Sequence, residues 1–487
     1  MATLAEPVLR WSRPRFAAPS VILSVAAAVA ALIQSLFLPI DCDVSWLITV
    51  NEKVLAGQRL YSDIIEVNPP ASVWLYTAPV WLAHQLQLRP EALVVAFFIA
   101  AALISCAVTL RITGRLPKPP HQLAFCAALA FATLLLPLGN FAQREHAAVL
   151  LAIPALAGMA AIADRRPLSL GWSVTVGAAA GAVVALKPHF ALAIAPALAF
   201  ACWRARSLRT GLPLAFAAAA IVALYAAAIL ILTPDYLRLL PILAKVYLPL
   251  RGKLTVLVLG PAVIVPLALY ALAFALRPRR LSSFAAVLLL GSAGFAASAL
   301  IQGKGYLNHA LPGMALAFIA VTVVAFERSV DPRRRHLVLS ATAVLAALEL
   351  YAMASIQPIE GLAQAVDRVA PSHPSVITLG PELRTGHPLV RNIDGRWAGS
   401  RAGLFIAGGV YQRIRDTKDR DPRLLRWYRE DLQSFADDVR RERPDVILVD
   451  ARPGLEWLRR EPVIARAIAP YRPAARADDI EVWVRRS

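Results

Sequence analysis

Charge is what this chain has least of: Asp, Glu, Lys and Arg make up 17% of its 487 residues, against 58% hydrophobic residues. A soluble domain of this size carries about 25% charged residues on and near its surface, so the composition excludes one. The mean hydropathy of +0.57 says the same. Cysteine is also scarce. There are four, Cys42, Cys106, Cys126 and Cys202, with no CxxC pair, and three of them fall in apolar segments. That excludes a disulfide framework and a zinc site. No GxGxxG and no phosphate-binding GxxxxGK[ST] loop occurs, so a nucleotide site is not expected. No strong internal repeat is visible.

What is present is a series of apolar runs, at 18–40, 71–87, 91–110, 121–138, 146–163, 169–186, 189–203, 211–233, 254–276, 281–301, 306–326 and 336–355. Runs near 20 residues are long enough to cross roughly 30 Å of hydrocarbon. The formal charge of +19 would suggest nucleic acid, but the basic residues lie in short clusters between the runs: RWSRPR, RITGRLPK, DRRP, RARSLR, RPRR and DPRRRH. That is the positive-inside pattern, with cations anchored at anionic headgroups, and no nucleic-acid partner is expected. Arg10, Arg13 and Arg15 precede an apolar run too long for a signal-peptide core, which reads as a retained signal anchor.

If all twelve runs span, the basic clusters fall on both sides. Segment 71–87 starts at Pro69-Pro70, is rich in Trp and Tyr and carries His84, which suits the interface instead. Removing it puts every cluster on one side, with 18 Lys and Arg in the six inner segments and 10 in the longer outer ones. The expected architecture is therefore a polytopic α-helical membrane protein with eleven spans in a domain 1–355. Residues 356–487 lie on the outer side as a small α/β domain. That tail holds 23 Lys and Arg and 19 Asp and Glu. SVITLG (375–380), DVILVD (445–450) and IEVWV (480–484) read as buried strands, and WYREDLQSFADDVRRERP as an amphipathic helix ended by Pro444. GAAAGAVVAL (177–186) spaces small residues four apart, which suits close helix packing.

The same sorting places every chemically varied loop outside: 41–70, GNFAQREH (139–146), KPHF (187–190), 234–253 and QGKGYLNH (302–309). The first holds four carboxylates, Asp41, Asp43, Asp63 and Glu66. Asp41 and Asp43 are close enough to push their pKa values apart. Asp63 and Glu66 share a face if that stretch is helical, and Asn68-Pro69-Pro70 fixes an extended turn. Opposite them stand Arg144, Glu145 and His146, then Lys187 and His189, then Lys304, Tyr306, Asn308 and His309. Each alone is accounted for as a helix-end or headgroup contact. Cations at membrane depth suit a lipid phosphate, and carboxylates near them suit a general base acting on a hydroxyl.

An acidic residue after the first span, then GQRLYSD (57–63), then Glu66-Val-Asn-Pro-Pro70 resembles the GT-C integral-membrane glycosyltransferases, in the protein mannosyltransferase and aminoarabinose-transferase-like branch. The resemblance covers roughly residues 18–310. It implies a sugar donor linked to a polyprenyl phosphate, an acceptor that is a lipid, glycan or protein, and inverting transfer. It maps the catalytic acid onto Asp43, with Asp41 second and Glu66 supporting. It maps the donor-phosphate lysine onto Lys187, assisted by Arg144 and Lys304. Asp63, Asn68, His146, His189, Tyr306 and His309 fall among the substrate-binding positions. A divalent cation is the one cofactor in question, through Glu145, where this chain reads Arg-Glu-His in place of the aspartate frequent in relatives. The expected location is a bacterial inner membrane, with the site facing outward. The rival reading is a secondary transporter or flippase of lipid-linked sugars, which calls for charged sites at the bilayer midplane and matched halves.

Overall fold

The computed structural model describes residues 18–114, 119–278, 280–327, 330–354, 358–419 and 421–486. The basic cluster at 10–15 and the residues leading into the expected signal anchor lie outside them, as do 115–118 and Arg279 of two further clusters. Each of the eleven segments expected to span is helical. Among the described residues seven helices are long and apolar enough to cross a membrane: Pro90–Thr113, Arg144–Ala163, Arg209–Leu232, Leu254–Ala275, Ser283–Gln302, Leu307–Ala325 and Pro332–Ala354. Three shorter apolar helices, Val25–Gln34, His121–Leu135 and Leu170–Leu186, and the 15-residue helix Ala191–Ala205 fill the remaining places. The segment set apart as interfacial is the 17-residue helix Pro70–Leu86 and is not among the seven.

Two helices form the centre. Arg144–Ala163 and Leu307–Ala325 are buried over nearly their whole lengths. Around the first pack Pro90–Thr113, Leu170–Leu186, Ala191–Ala205 and Ser283–Gln302. The loops sort to two ends. At one, Arg166 donates to the Ile112 carbonyl, the Ser282 amide to Glu327 and Arg335 to the Ala325 carbonyl. These are the Arg-, Pro- and Ser-rich connections. At the other end the varied loops meet and build the site.

The small residues of GAAAGAVVAL set a close helix approach. A Cβ on Gly177 would lie 2.4 Å from the Leu214 carbonyl oxygen, and one on Gly181 2.5 Å from that of Ala218. The helices Leu170–Leu186 and Leu212–Leu232 therefore touch backbone to backbone, as small-xxx-small spacing permits in lipid.

The tail carries a five-stranded sheet: β1 Ser375–Leu379, β2 Arg396–Trp397, β3 Val446–Asp450, β4 Tyr471–Ala477 and β5 Ile480–Arg485, in the order β2-β1-β3-β5-β4. β1 runs parallel to β2 and β3; β5 runs antiparallel to β3 and β4. The three strands expected from sequence are the inner ones, two of them buried at every position. The two not foreseen are the edges. β2 has two residues, and β4 is mostly exposed and holds Pro473, which an edge tolerates because it needs fewer ladder donors. The expected amphipathic helix is Pro422–Glu442, capped by Asp421 and closed by a left-handed Arg443 before Pro444.

Gly181→Leu is expected to cost about 1–3 kcal/mol through overpacking, whereas Gly181→Ala costs less. Thermal unfolding in detergent checks it; equal melting of Gly181→Leu and the parent would show that the backbone contact does not matter.

Candidate active site

The site starts at Asp41. Its carboxylate caps the helix Cys42–Leu55, with Oδ1 accepting from the amides of Asp43 at 2.8 Å and Val44 at 3.4 Å. Asp is among the preferred N-caps because its oxygen satisfies amides that the first turn leaves open. Burial and the neighbouring Asp43 charge push the Asp41 carboxyl up to about 7, against a hydrogen bond from Gln143 and the two amides. Asp43, in the first turn of that helix, stays partly exposed and pairs with Arg144 Nη2 at 3.4 Å.

Arg144 and Glu145 are consecutive at the start of the central helix and so point about 100° apart. Arg144 turns toward the first loop, where Nη1 donates to the Asn68 side-chain oxygen. Glu145 turns the other way: Oε1 accepts from Lys187 Nζ at 2.5 Å and lies 3.7 Å from His309 Nε2. Lys187 also donates to Gln302 Oε1 at 2.7 Å. Five buried polar atoms here have no hydrogen-bond partner: Arg144 Nε, Glu145 Oε2, His189 Nε2, Gln302 Nε2 and His309 Nδ1. Buried polar atoms are normally satisfied, so a group of five at one place marks where a polar ligand fits.

Glu66 is buried. It accepts from Trp46 Nε1, and from the Asn68 amide and side chain at 2.7 and 2.6 Å. Burial raises its pKa and these donors lower it. Asn68 is thereby fixed between Glu66 and Arg144. Asp63 is not brought to this group: residues 59–64 form a turn rather than a helix, and Asp63 is exposed and pairs with Arg59 at 3.4 Å. The shared face expected of Asp63 and Glu66 does not form.

The remaining residues divide in the same way. His146 uses both ring nitrogens on backbone, Nδ1 accepting from the Ala142 amide at 3.1 Å and Nε2 donating to the Thr133 carbonyl at 2.7 Å. It braces the turn before the helix and does not join the cluster. Lys304 donates to the carbonyls of Tyr247 at 2.7 Å and Leu250 at 2.5 Å, with its ammonium 3.9 Å from the Tyr247 ring centre. It holds the 243–250 segment in place, and burial lowers its pKa to about 8. Tyr306 is exposed beside His309, ring centres 5.5 Å apart. His189 lies against Phe190, within the fields of Lys187 and Glu145.

Sequence reasoning missed Trp46, Gln143, Tyr247 and Gln302. Gln143 links Asp41 to Asn308, whose amide donates to it at 2.9 Å. Tyr247 stands in the fields of Arg144 and Asp43. Both glutamines lie in or beside the varied loops, so their location was a signal; their neutrality hid them. Among the described residues no group of three or more His, Cys, Asp or Glu is placed to hold a metal ion. Glu145 is engaged by Lys187 and lies near His309, which does not fit a cation at that carboxylate.

No family model and no curated protein matches the chain. Solved structures do match in fold. ArnT from Cupriavidus metallidurans, bound to undecaprenyl phosphate, aligns with a TM-score of 0.56 and 14% identity over 96% of this chain and 98% of that one. The oligosaccharyltransferase AglB from Archaeoglobus fulgidus, in complex with an inhibitory peptide and a dolichol phosphate, gives 0.44 and 11% over 93% and 72%. The mycobacterial arabinofuranosyltransferase AftD gives 0.43 and 14% over 95% and 40%. The ArnT alignment shows a shared fold over nearly the whole of both chains.

Removing one partner of a buried ion pair costs about 3–5 kcal/mol. Lys187→Met is expected to destabilise the protein by that order, and adding Glu145→Gln to recover most of it. Unfolding in detergent measures both, and a Lys187→Met protein as stable as the parent would separate Glu145 from Lys187.

Proposed function

We propose that the chain is a glycosyltransferase that moves a hexosyl or pentosyl group from a polyprenyl-phosphate carrier to an acceptor hydroxyl. The observation that carries this is the pairing, at one end of a GT-C fold, of a carboxylate couple with a cationic group that has unsatisfied polar atoms around it. We place the reaction at the outer face of a bacterial inner membrane, with a membrane domain 1–355 and an α/β domain 356–487 on that side. The support is the sidedness of the basic clusters.

In this reading Lys187 and Arg144 receive the donor phosphate, with His189, His309 and Gln302 offering the remaining polar contacts. A phosphate there draws Lys187 partly away from Glu145, which keeps the lysine charged while the site is empty. The acceptor hydroxyl gives its proton to a carboxylate. Its oxygen bonds to the anomeric carbon, and the carbon–oxygen bond to phosphate breaks, its electron pair leaving with the polyprenyl phosphate. The charge that develops is met by cations already in place. A single displacement of this kind inverts the anomeric centre.

The sequence favours Asp43 as base. Asp43 is engaged by Arg144, whereas Asp41 is held near 7, where a general base works best at neutral pH. We therefore assign the proton to Asp41 and the orientation of Arg144 to Asp43, with Glu66 and Asn68 holding Arg144 from behind.

Asp41→Asn retains an N-cap and is expected to fold, with transfer reduced about 10²–10⁴-fold. In the parent, kcat/KM rises with pH through the Asp41 pKa near 7. Removing the Asp43 charge takes away a cause that raises this pKa, so in Asp43→Asn the acid limb moves to lower pH. Transfer from a labelled polyprenyl-phosphate sugar by purified protein measures both. Near-full activity of Asp41→Asn would return the role to Asp43. Movement of the donor across the bilayer with no bond broken would instead favour the transporter.

A further inference from the structure

A cavity of about 570 Å³ opens beside Asp41, and Lys187 is not among the residues that line it. Its apolar walls come from the first helix, Pro90–Thr113 and the turn before the central helix, with Leu32, Val95 and Phe141 among them. The first helix carries Val25, Val29, Leu32 and Ile33 exposed, a surface that suits lipid. The polar lining is Gln34, Asp41, Arg89, Glu91 and Asn392.

The charges at the rim are spent. Arg89 pairs with Asp394 at 3.4 Å and donates to the Arg391 carbonyl at 3.3 Å. Arg391, beneath it, binds Glu52 at 2.7 Å and also pairs with Glu91. Glu91 Oε2 is itself buried and lies 3.9 Å from Arg89 Nε, so what is left facing a ligand is the Asp41 carboxyl with the side-chain amides of Gln34 and Asn392. Such a site gives an anionic head no free cation, and gives hydroxyls a carboxyl and two amides to bond. The cations that suit a phosphate stand elsewhere, at Arg144 and Lys187. Apolar walls continuous with a lipid-facing helix suit an alkyl chain, whose burial from water is favourable.

We propose that this cavity is the acceptor site, and that its occupant is a neutral, hydroxyl-bearing amphiphile. Its chain lies between the first helix and Pro90–Thr113, and its hydroxyl reaches Asp41. The assignment rests on the transferase reading for the word acceptor; the binding itself does not. It selects one acceptor class, a membrane lipid with an uncharged head, over a protein or a soluble glycan. It also keeps the acceptor's cavity separate from the cations proposed to hold the donor phosphate.

The probe is a dodecyl glucoside carrying a diazirine in its chain, photolysed with the protein in amphipol. Label is expected in peptides spanning 31–41 and 89–95. Unlabelled dodecyl glucoside should reduce it at least tenfold, while dodecyl phosphate at the same concentration changes it less than twofold. Val95→Trp, which fills the cavity, should lower labelling at least tenfold; Ala92→Trp, at the exposed edge of the same wall, is the second variant should the first not fold. Label spread evenly over the apolar helices, or displaced equally by dodecyl phosphate, would overturn the proposal. Labelling as expected, in a protein that transfers no sugar, would count against the transferase reading and leave the binding site standing.

Discussion

Two adjacent opposite charges at the head of a buried helix organise this molecule. Arg144 and Glu145 are both almost wholly buried, and a buried charge is tolerated only when paired and hydrogen-bonded. Because they point in different directions, one partner set cannot serve both. Arg144 draws Asp43 and Asn68 from the first varied loop; Glu145 draws Lys187 and His309 from two others. Three connections far apart in sequence are thus brought to one end of the bundle. The site is where the charges of one helix are neutralised.

The tail takes part in the same arrangement. Positions 45, 49 and 52 lie on one face of the helix Cys42–Leu55, and they meet His387 and Arg391: Ser45 hydrogen-bonds His387 Nδ1 at 3.0 Å, and Arg391 reaches Thr49 at 3.4 Å and Glu52. Trp46 packs against the rings of His387 and Trp397 while its indole N–H holds Glu66. The Ile65 amide donates to the Ser400 carbonyl at 2.8 Å. The carboxylate loop is therefore held from behind by residues more than 300 positions later, which accounts for the sheet of the tail resting on the helical bundle.

Much of this was legible in the sequence, for physical reasons that can be named. Apolar runs report helices because lipid demands internally satisfied backbone. Basic clusters report sidedness, which was enough to gather Asp43, Arg144, Glu145, Lys187 and His309 before any coordinates. Central strands report themselves by continuous burial; the edge strands β2 and β4 do not. What the sequence hid depended on direction and on neutral groups. Nothing in QREH distinguishes Glu145, which faces Lys187, from His146, which faces the Thr133 carbonyl. Nothing in GQRLYSDIIEV tells an exposed Asp63 from a buried Glu66. Lys304 looked like a phosphate contact and serves two carbonyls. The burial and cap geometry of Asp41, on which its proposed role as base rests, were not visible in the sequence either.

The central claim is that a polyprenyl-phosphate sugar loses its anomeric bond at this site. The most direct measurement is phosphorus NMR of the purified protein in nanodiscs with a polyprenyl-phosphate-linked sugar and a lipid extract as acceptor. The account predicts that the phosphodiester signal is replaced, one for one, by a phosphate monoester as the sugar appears on an acceptor lipid, and that Lys187→Met with Glu145→Gln halts the conversion. A phosphodiester signal unchanged over many hours in the parent protein, with the donor bound or moved between leaflets, would contradict it.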